Sequence, residues 1–160
     1  NAPIFAKITG VGMSSDAHNA VQPLAEGAQQ AMQAALDDAK INEIEIDYIN
    51  AHGSATIQND QTESQAICSI FKTCSKEPLV SSTKSVHGHV LGAGAAIEAI
   101  ASIIALKRQQ VPATTNFIEL DPRCNINIVA NQAVKTKVNK VMSNSFAFGG
   151  LNVSLIFEKV

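Results

Sequence analysis

One short segment places a lysine and two histidines directly before a long apolar run. The segment SSTKSVHGH, residues 81–89, contains Lys84, His87 and His89, and it continues into VLGAGAAIEAIASIIAL. We expect His89 to lie where the apolar helix begins, in a positive backbone field and partly shielded from water. Both effects favour the neutral imidazole. A neutral ring donates one hydrogen bond, so this segment offers a donor to a developing oxyanion.

A second histidine, His52, lies in the segment NAHGSAT. A lone histidine at a strand end is more often structural than catalytic. Here, however, the loops of His52 and of residues 84–89 both follow predicted strands and precede predicted helices. Such loops emerge at the same carboxyl edge of a sheet. We therefore predict that His52, Lys84 and His89 meet, and that two neutral imidazoles stabilise an enolate oxygen without a metal.

Glu98 is the one acidic residue in the apolar run from Val90 to Leu106. An unpaired carboxylate inside a protein is strongly destabilising, so a buried Glu98 needs a cation. Lys84 is the nearest candidate along the chain. The alternative is a Glu98 that faces solvent on the helix surface. We predict the buried ion pair, because the rest of the run is apolar.

Three other functions are considered for this region. Alternating histidines at 87 and 89 can ligate a metal, but no carboxylate or cysteine lies at ligand spacing, and alternating side chains of an extended chain point apart. We predict no metal and assign His87 no role. Gly92 and Gly94 lack the third glycine of a dinucleotide-binding loop. The run is marginal in length for a membrane span, so a helix buried in protein is the better interpretation.

The composition excludes several classes of protein. The 160 residues are 46% hydrophobic with a formal net charge of −2 and no basic cluster, so nucleic acid is not an expected partner. One domain of this size can bury a sizeable core. The three cysteines form no CxxC pair, which favours a reducing, cytoplasmic location. No secretory signal is recognisable, and the first residue is Asn, so we expect the chain to begin within a longer protein.

The elements that must position these residues alternate along the chain. Their order is strand, helix, strand, helix, strand, helix, and then three strands, which predicts a mixed sheet with helices packed on its faces. On the second helix, Thr62, Glu63 and Gln65 are expected on the polar face. The predicted ranges are strands at 4–13, 45–53, 79–80, 126–129, 138–143 and 152–157, and helices at 23–39, 60–71 and 90–108.

Three motifs in this order resemble the C-terminal half of the β-ketoacyl-acyl carrier protein synthases, the elongating condensing enzymes of fatty acid and type II polyketide synthesis. The motifs are NAHGSAT with NDQTE, SSTKSVHGH with LGAGAAIEA, and SNSFAFGG with LNVSLIFEK, and the similarity covers nearly all of the chain. The resemblance implies an α/β fold, namely one thiolase-like half with a mixed five-stranded sheet. Residues 1–160 would then be the C-terminal domain of a ketosynthase.

The resemblance also implies roles for individual residues. His52 and His89 match the two histidines that hold the malonyl thioester oxygen and assist decarboxylation. Lys84 and Glu98 match the lysine and the acid that pair beside them. Phe148 matches the gating aromatic, whose backbone N–H resembles part of an oxyanion hole.

Four further residues are assigned to substrate binding. Ser54 and Thr56 match the positions that touch the phosphopantetheine arm, although Ser54 replaces the usual threonine. Gly149 lets a backbone N–H approach a ligand, and Phe146 can shield the site from water. Ala147 replaces the usual glycine before the gating aromatic, and we expect it to stiffen the gate.

The resemblance further implies that substrates arrive on the phosphopantetheine of acyl carrier protein, with no separate cofactor. The expected partners are this carrier protein, the N-terminal half that carries the nucleophilic cysteine, and a second copy of the complete enzyme. None of Cys68, Cys74 and Cys124 has the surroundings of that nucleophile. The alternative functions are a non-catalytic subunit resembling a chain length factor and a carrier-docking module. A thiolase is disfavoured, because the turn NSFAFGG lacks the second thiolase cysteine.

Overall fold

A computed structural model describes residues 2–160. The strands are β1 (Lys7–Ser15), β2 (Tyr48–Asn50), β3 (Leu79–Ser81), β4 (Gln110–Val111), β5 (Val134–Lys135), β6 (Lys140–Ala147) and β7 (Leu151–Glu158). Five of them form a mixed sheet in the order β1-β7-β6-β2-β3. Strand β2 is parallel to both β3 and β6, whereas β7 is antiparallel to β6 and β1. The α-helices are α1 (Ala25–Ala39), α2 (Ile57–Phe71), α3 (Lys84–His87) and α4 (Gly94–Arg108), with 3₁₀ turns at Glu43–Glu45 and Leu91–Ala93.

Each face of the sheet carries its own hydrophobic core. Helices α1 and α2 pack on one face, where Met32, Leu36 and Phe71 are fully buried. Helix α4 packs on the other face, and its Leu106 is buried with Tyr48 of β2. This layered arrangement confirms the predicted fold class. Among residues 2–160, no helix is long and apolar enough to cross a membrane.

Small residues allow α1 to lie directly on β1. Gly10 and Gly12 of β1 face the helix, and a Cβ atom at Gly12 would lie 1.9 Å from the carbonyl oxygen of Ala31. A Cβ atom at Gly10 would lie 2.2 Å from the carbonyl oxygen of Ala35. The two backbones are therefore too close for any side chain on this face of the strand. This contact explains why both positions hold glycine.

The predicted strand at 126–129 is wrong, because only an isolated bridge between Ile128 and Val80 forms there. The prediction missed β4 and β5, which pair over two residues each and are too short to show a period in the sequence. It also treated residues 81–89 as a loop, whereas this segment contains the one-turn helix α3. Strand β7 lies where the sequence predicted it, whereas β6 begins two residues later than predicted and continues to Ala147, into the predicted turn.

The close contact between α1 and β1 predicts that two glycine-to-alanine changes have very different effects on the free energy of unfolding. Gly12→Ala should lower the free energy of unfolding by about 1–3 kcal/mol, because overpacking at this contact forces the backbones apart. Gly92→Ala is the matched control, since no atom lies within 4 Å of a Cβ built there. Urea unfolding measures both. Equal stabilities of the two variants would contradict the close approach of α1 to β1.

Candidate active site

The candidate catalytic residues lie at one edge of the sheet, at the carboxyl ends of three neighbouring parallel strands. His52 lies two residues beyond β2, and Lys84 lies three residues beyond β3. Strand β6 is parallel to β2 and ends at the same edge, where it contributes Phe146. The topology therefore brings together side chains that are far apart along the chain.

His52 is the buried histidine of the site, with only 8% of its surface exposed. Its Nδ1 lies 3.4 Å from the Nζ of Lys84, and its ring meets the ring of His89 edge-on with centroids 5.4 Å apart. Burial, followed by the charge of Lys84, lowers the pKa of His52 to about 3. The ring is therefore neutral at pH 7. Because the ammonium group donates to Nδ1, the proton of the neutral ring resides on Nε2.

His89 lies in a different environment from the predicted one. Its side chain is exposed in this chain, and α4 begins only at Gly94, after the turn at Leu91–Ala93. The expectation that His89 is shielded at the helix start is therefore wrong for this chain. Its Nδ1 accepts a hydrogen bond of 3.2 Å from the backbone N–H of Leu91. The neutral ring consequently also carries its proton on Nε2, as His52 does.

Lys84 and Glu98 form the predicted ion pair, and both are buried, with 7% and 1% of their surfaces exposed. The pair joins α3 to α4 beneath the two histidines. Lys84 therefore contacts Glu98 on one side and His52 on the other. The pair fixes the position of the ammonium group that selects the tautomer of His52.

Glu63 is a site residue that the sequence analysis misplaced. The prediction that it lies on the polar face of α2 is wrong, because the residue is only 3% exposed. Its carboxylate accepts hydrogen bonds of 2.9 Å from the backbone N–H groups of both His52 and Gly53. It also accepts one from the Nδ2 of Asn144 at 3.2 Å. Burial raises the pKa of Glu63, while these hydrogen bonds lower it. Glu63 thus anchors the loop that carries His52.

Asn50 is a second site residue that the sequence analysis missed. It is fully buried at the end of β2, and its Nδ2 lies 3.2 Å from the carbonyl oxygen of Glu98 and 3.3 Å from the Oγ1 of Thr83. Its Oδ1 accepts a hydrogen bond from the backbone N–H of Thr83. Asn50 therefore ties the sheet to both helices that carry the ion pair. No period in the sequence indicates these contacts, because they join three separate elements.

The end of β6 and the turn that follows it carry two aromatic residues in opposite environments. Phe146 is buried, and its ring centroid lies 5.7 Å from that of His52. Phe148 is 80% exposed at the tip of the turn. Phe146 therefore forms one wall beside His52, whereas the side chain of Phe148 is unrestrained by the core.

The base of this turn is anchored by the segment that follows β1. The backbone N–H of Gly149 donates to the carbonyl oxygen of Ala20 at 2.8 Å, so this N–H already has a partner within the chain. The Nδ2 of Asn152 donates to the carboxylate of Asp16 at 2.7 Å. A Cβ atom at Gly150 would lie 2.6 Å from the Cβ of Asp16, so the approach again requires glycine.

Ser54 and Thr56 lie between His52 and α2. Their hydroxyl oxygens are 3.2 Å apart, with Ser54 half-buried and Thr56 exposed. The Oγ1 of Thr56 also accepts a hydrogen bond from the backbone N–H of Asn59 and so caps α2. Within residues 2–160, no group of three or more His, Cys, Asp and Glu side chains is arranged to hold a metal ion.

Comparison with known proteins gives a consistent result. Residues 5–118 match the family model for the beta-ketoacyl synthase C-terminal domain. The chain is 45% identical to nodulation protein E of Rhizobium sp. (strain N33), over 99% of this chain and 40% of that protein. It is 44% identical to 3-oxoacyl-[acyl-carrier-protein] synthase 2 of Staphylococcus aureus (strain COL), over 99% of this chain and 39% of that protein.

Solved structures agree with these matches. A beta-ketoacyl synthase from Burkholderia phymatum STM815 superposes with a TM-score of 0.94 at 43% identity, over 99% of this chain and 38% of that one. The ketosynthase AntDE in complex with the acyl carrier protein AntF gives a TM-score of 0.94 at 30% identity, over 99% of this chain and 40% of that one. The chain thus spans about two-fifths of the length of these relatives.

The buried ion pair predicts a large loss of stability when one partner is removed. Glu98→Gln should lower the free energy of unfolding by about 3–5 kcal/mol, because Lys84 is left buried without a counter-charge. The combined change Lys84→Met with Glu98→Gln should recover much of that loss. Glu77→Gln is the control, because its ion pair with Lys72 is well exposed and contributes at most about 1 kcal/mol. A Glu98→Gln protein as stable as this control would refute the burial of the pair.

The neutral state of His52 predicts a defined dependence of stability on pH. An unfolded histidine binds a proton near pH 6.5, whereas folded His52 does so only near pH 3. Between these values the unfolded state binds more protons, so His52 makes stability fall as the pH falls. Between these pH values, the slope of the free energy of unfolding against pH should be smaller in the His52→Gln protein than in the wild type, by up to about 1.4 kcal/mol per pH unit. Urea unfolding of both proteins at several pH values measures this difference. Equal slopes in the two proteins would contradict a lowered pKa for His52.

Proposed function

The chain belongs to the β-ketoacyl synthase family through its C-terminal domain, and on that premise we propose that it supplies the decarboxylation site of a condensing enzyme. The proposed reaction is the decarboxylative Claisen condensation of malonyl-acyl carrier protein with an acyl thioester. The observation that carries the proposal is the pairing of His52 with His89. The two rings lie 5.4 Å apart, and each has its Nδ1 occupied by a donor.

This pairing fits the charge that develops during decarboxylation. When the bond to the malonyl carboxylate breaks, carbon dioxide leaves and its bonding electron pair forms an enolate. The negative charge collects on the thioester oxygen. Two Nε2–H groups, from His52 and His89, can donate hydrogen bonds to that oxygen, which stabilises it without proton transfer. The enolate carbon then attacks the acyl thioester and displaces its sulfur as a thiolate.

Lys84 and Glu98 act through His52 in this proposal. The ammonium group of Lys84 keeps the proton of His52 on Nε2, where it can reach the substrate oxygen. Its positive charge also favours a developing negative charge nearby. Glu98 balances the charge of Lys84, so the pair itself carries no net charge. Neither residue needs to touch the substrate in this mechanism.

The remaining predicted residues are proposed to handle the substrate. The hydroxyl groups of Ser54 and Thr56, which lie 3.2 Å apart, are proposed to contact the phosphopantetheine arm on their exposed side. Phe146 excludes water from the face of His52. Phe148 is proposed as the gate, since its exposed ring lies on a turn in which Gly149 and Gly150 both have positive φ. Such glycines permit backbone changes that other residues resist. The engaged N–H of Gly149 would become available to a ligand only when that turn moves.

The proposal requires a further protein layer that carries the nucleophilic cysteine. Burial raises the pKa of Cys68, Cys74 and Cys124, so none of them is an activated thiolate. The outward side of α4 exposes Ile97, Ile100 and Ile104 at helical spacing, with up to 58% of a side chain exposed. This apolar surface supports an N-terminal half packed against it.

The same proposal includes the partners and location expected from the sequence. We propose that acyl carrier protein delivers both the malonyl group and the acyl group as thioesters. An acyl-carrier protein is the partner named in the AntDE:AntF structure. We propose that the complete enzyme is a dimer and needs no separate cofactor. The three free thiols fit a reducing compartment such as the cytoplasm.

Removing either histidine tests the proposed function. In the full-length protein, His52→Ala and His89→Ala should each lower kcat for malonyl-acyl carrier protein decarboxylation about 100-fold or more, because one oxyanion donor is lost. Carbon dioxide release measures the rate. Lys72→Ala is the control, since Lys72 follows the far end of α2, about 24 Å along the helix from Thr56.

Two results would contradict the proposal in different ways. Unchanged decarboxylation in both histidine variants would remove the pair from the mechanism. A wild-type protein that binds acyl carrier protein but releases no carbon dioxide would instead be the non-catalytic partner that the sequence analysis considered.

A further inference from the structure

Gly88 forms a joint between α3, which carries Lys84, and the short segment that carries His89. Its φ of +75° and ψ of 174° are accessible to glycine but strained for other residues. Gly88 is exposed, and no atom lies within 4 Å of a Cβ built on it, so no side chain packs against this face of the joint. Its backbone N–H donates to the carbonyl oxygen of Lys84 at 2.8 Å, which fixes only the side towards α3. The Gly88–His89 peptide therefore needs another restraint.

The imidazole of His87 supplies a contact on that other side. Its Nδ1 lies 2.7 Å from the carbonyl oxygen of Gly88. A carbonyl oxygen only accepts, so Nδ1 must carry a proton. The Nε2 of His87 lies 3.2 Å from the Oγ1 of Thr83. In the neutral ring with a proton on Nδ1 this nitrogen is an acceptor, and it competes with the Oδ1 of Asn50, 3.3 Å away, for the hydroxyl proton of Thr83.

Thr83 gives this contact a rigid support. It is only 6% exposed, and Asn50 holds its backbone N–H and its side chain from the end of β2. The ring of His87 thus connects a fixed point on the buried network to the carbonyl of the exposed Gly88. It has the Nδ1–H tautomer, the opposite of the tautomer that the contacts assign to His52 and His89.

We propose that His87 is a positioning residue that fixes the Gly88–His89 peptide and thereby the direction of the His89 ring. The proposal rests on the proposed function, because it concerns the aim of one oxyanion donor. His87 itself does not touch the substrate. Without its hydrogen bond the Gly88 carbonyl can rotate, and His89 then samples directions in which its Nε2–H misses the thioester oxygen.

Three substitutions separate the two contacts of the ring. His87→Ala removes both contacts and should lower kcat for decarboxylation about tenfold with little change in KM, since it misaims a catalytic group without removing substrate contacts. His87→Asn places an amide N–H at the position of Nδ1 and should restore most of the rate. His87→Gln places its amide near Thr83 instead and should not restore it.

Val86→Ala is the matched control, because Val86 belongs to the same one-turn helix and is 73% exposed. It should leave kcat unchanged in the full-length protein. The inference is overturned if His87→Ala is as active as this control. It is also overturned if His87→Gln rescues the rate and His87→Asn does not, because the contact with Thr83 would then be the important one.

The ring tautomer tests the proposed hydrogen bond independently of activity. Nitrogen-15 NMR of histidine-labelled protein should show neutral His87 protonated on Nδ1, with the His87→Asn spectrum identifying its signals. An Nε2–H tautomer, or rapid averaging between the two, would overturn the inference. A wild-type protein that fails to decarboxylate malonyl-acyl carrier protein would refute the proposed function instead, and the tautomer would still decide whether His87 holds the joint.

Discussion

The ion pair between Lys84 and Glu98 is the interaction on which the rest of the site depends. A charge can be buried at this depth only if its partner is held beside it. The pair therefore forces α4 to lie close to the carboxyl end of β3, and it fixes the ammonium group next to His52. The tautomer of His52, and with it the direction of its remaining N–H, follows from that placement. Burial of one salt bridge thus determines the hydrogen-bonding capacity of the neighbouring ring.

A second set of buried polar residues makes the site rigid. Glu63 accepts both backbone N–H groups of the loop at His52, and Asn50 connects β2 to Thr83 and to the backbone of Glu98. Each of these polar side chains is buried, and each is satisfied by hydrogen bonds, which offsets the loss of hydration. An oxyanion site benefits from such support, because its donors must be in place before the charge develops.

The sequence was sufficient to predict the order of the layers and the meeting of the histidine loops, because hydrophobic periods and parallel strand order act over whole elements. The ion pair was also predictable, since an acid within an apolar run requires a cation. The burial of Glu63 was not. Its helix has an ordinary polar face by residue type, and only the three-dimensional structure reveals that the backbone N–H groups of His52 and Gly53 donate to the Glu63 carboxylate. The exposure of His89 was missed for a related reason, since the turn at Leu91–Ala93 leaves no periodic signal.

The isoleucines on the outward side of α4 have a consequence for the life of the chain in the cell. Water-exposed aliphatic stripes are the surfaces that chaperones bind and that drive aggregation. A polypeptide with this face must have it covered soon after synthesis, or quality-control proteases will compete for it. The amount of this domain that accumulates should therefore depend on how quickly another part of the protein packs against the exposed isoleucines of α4.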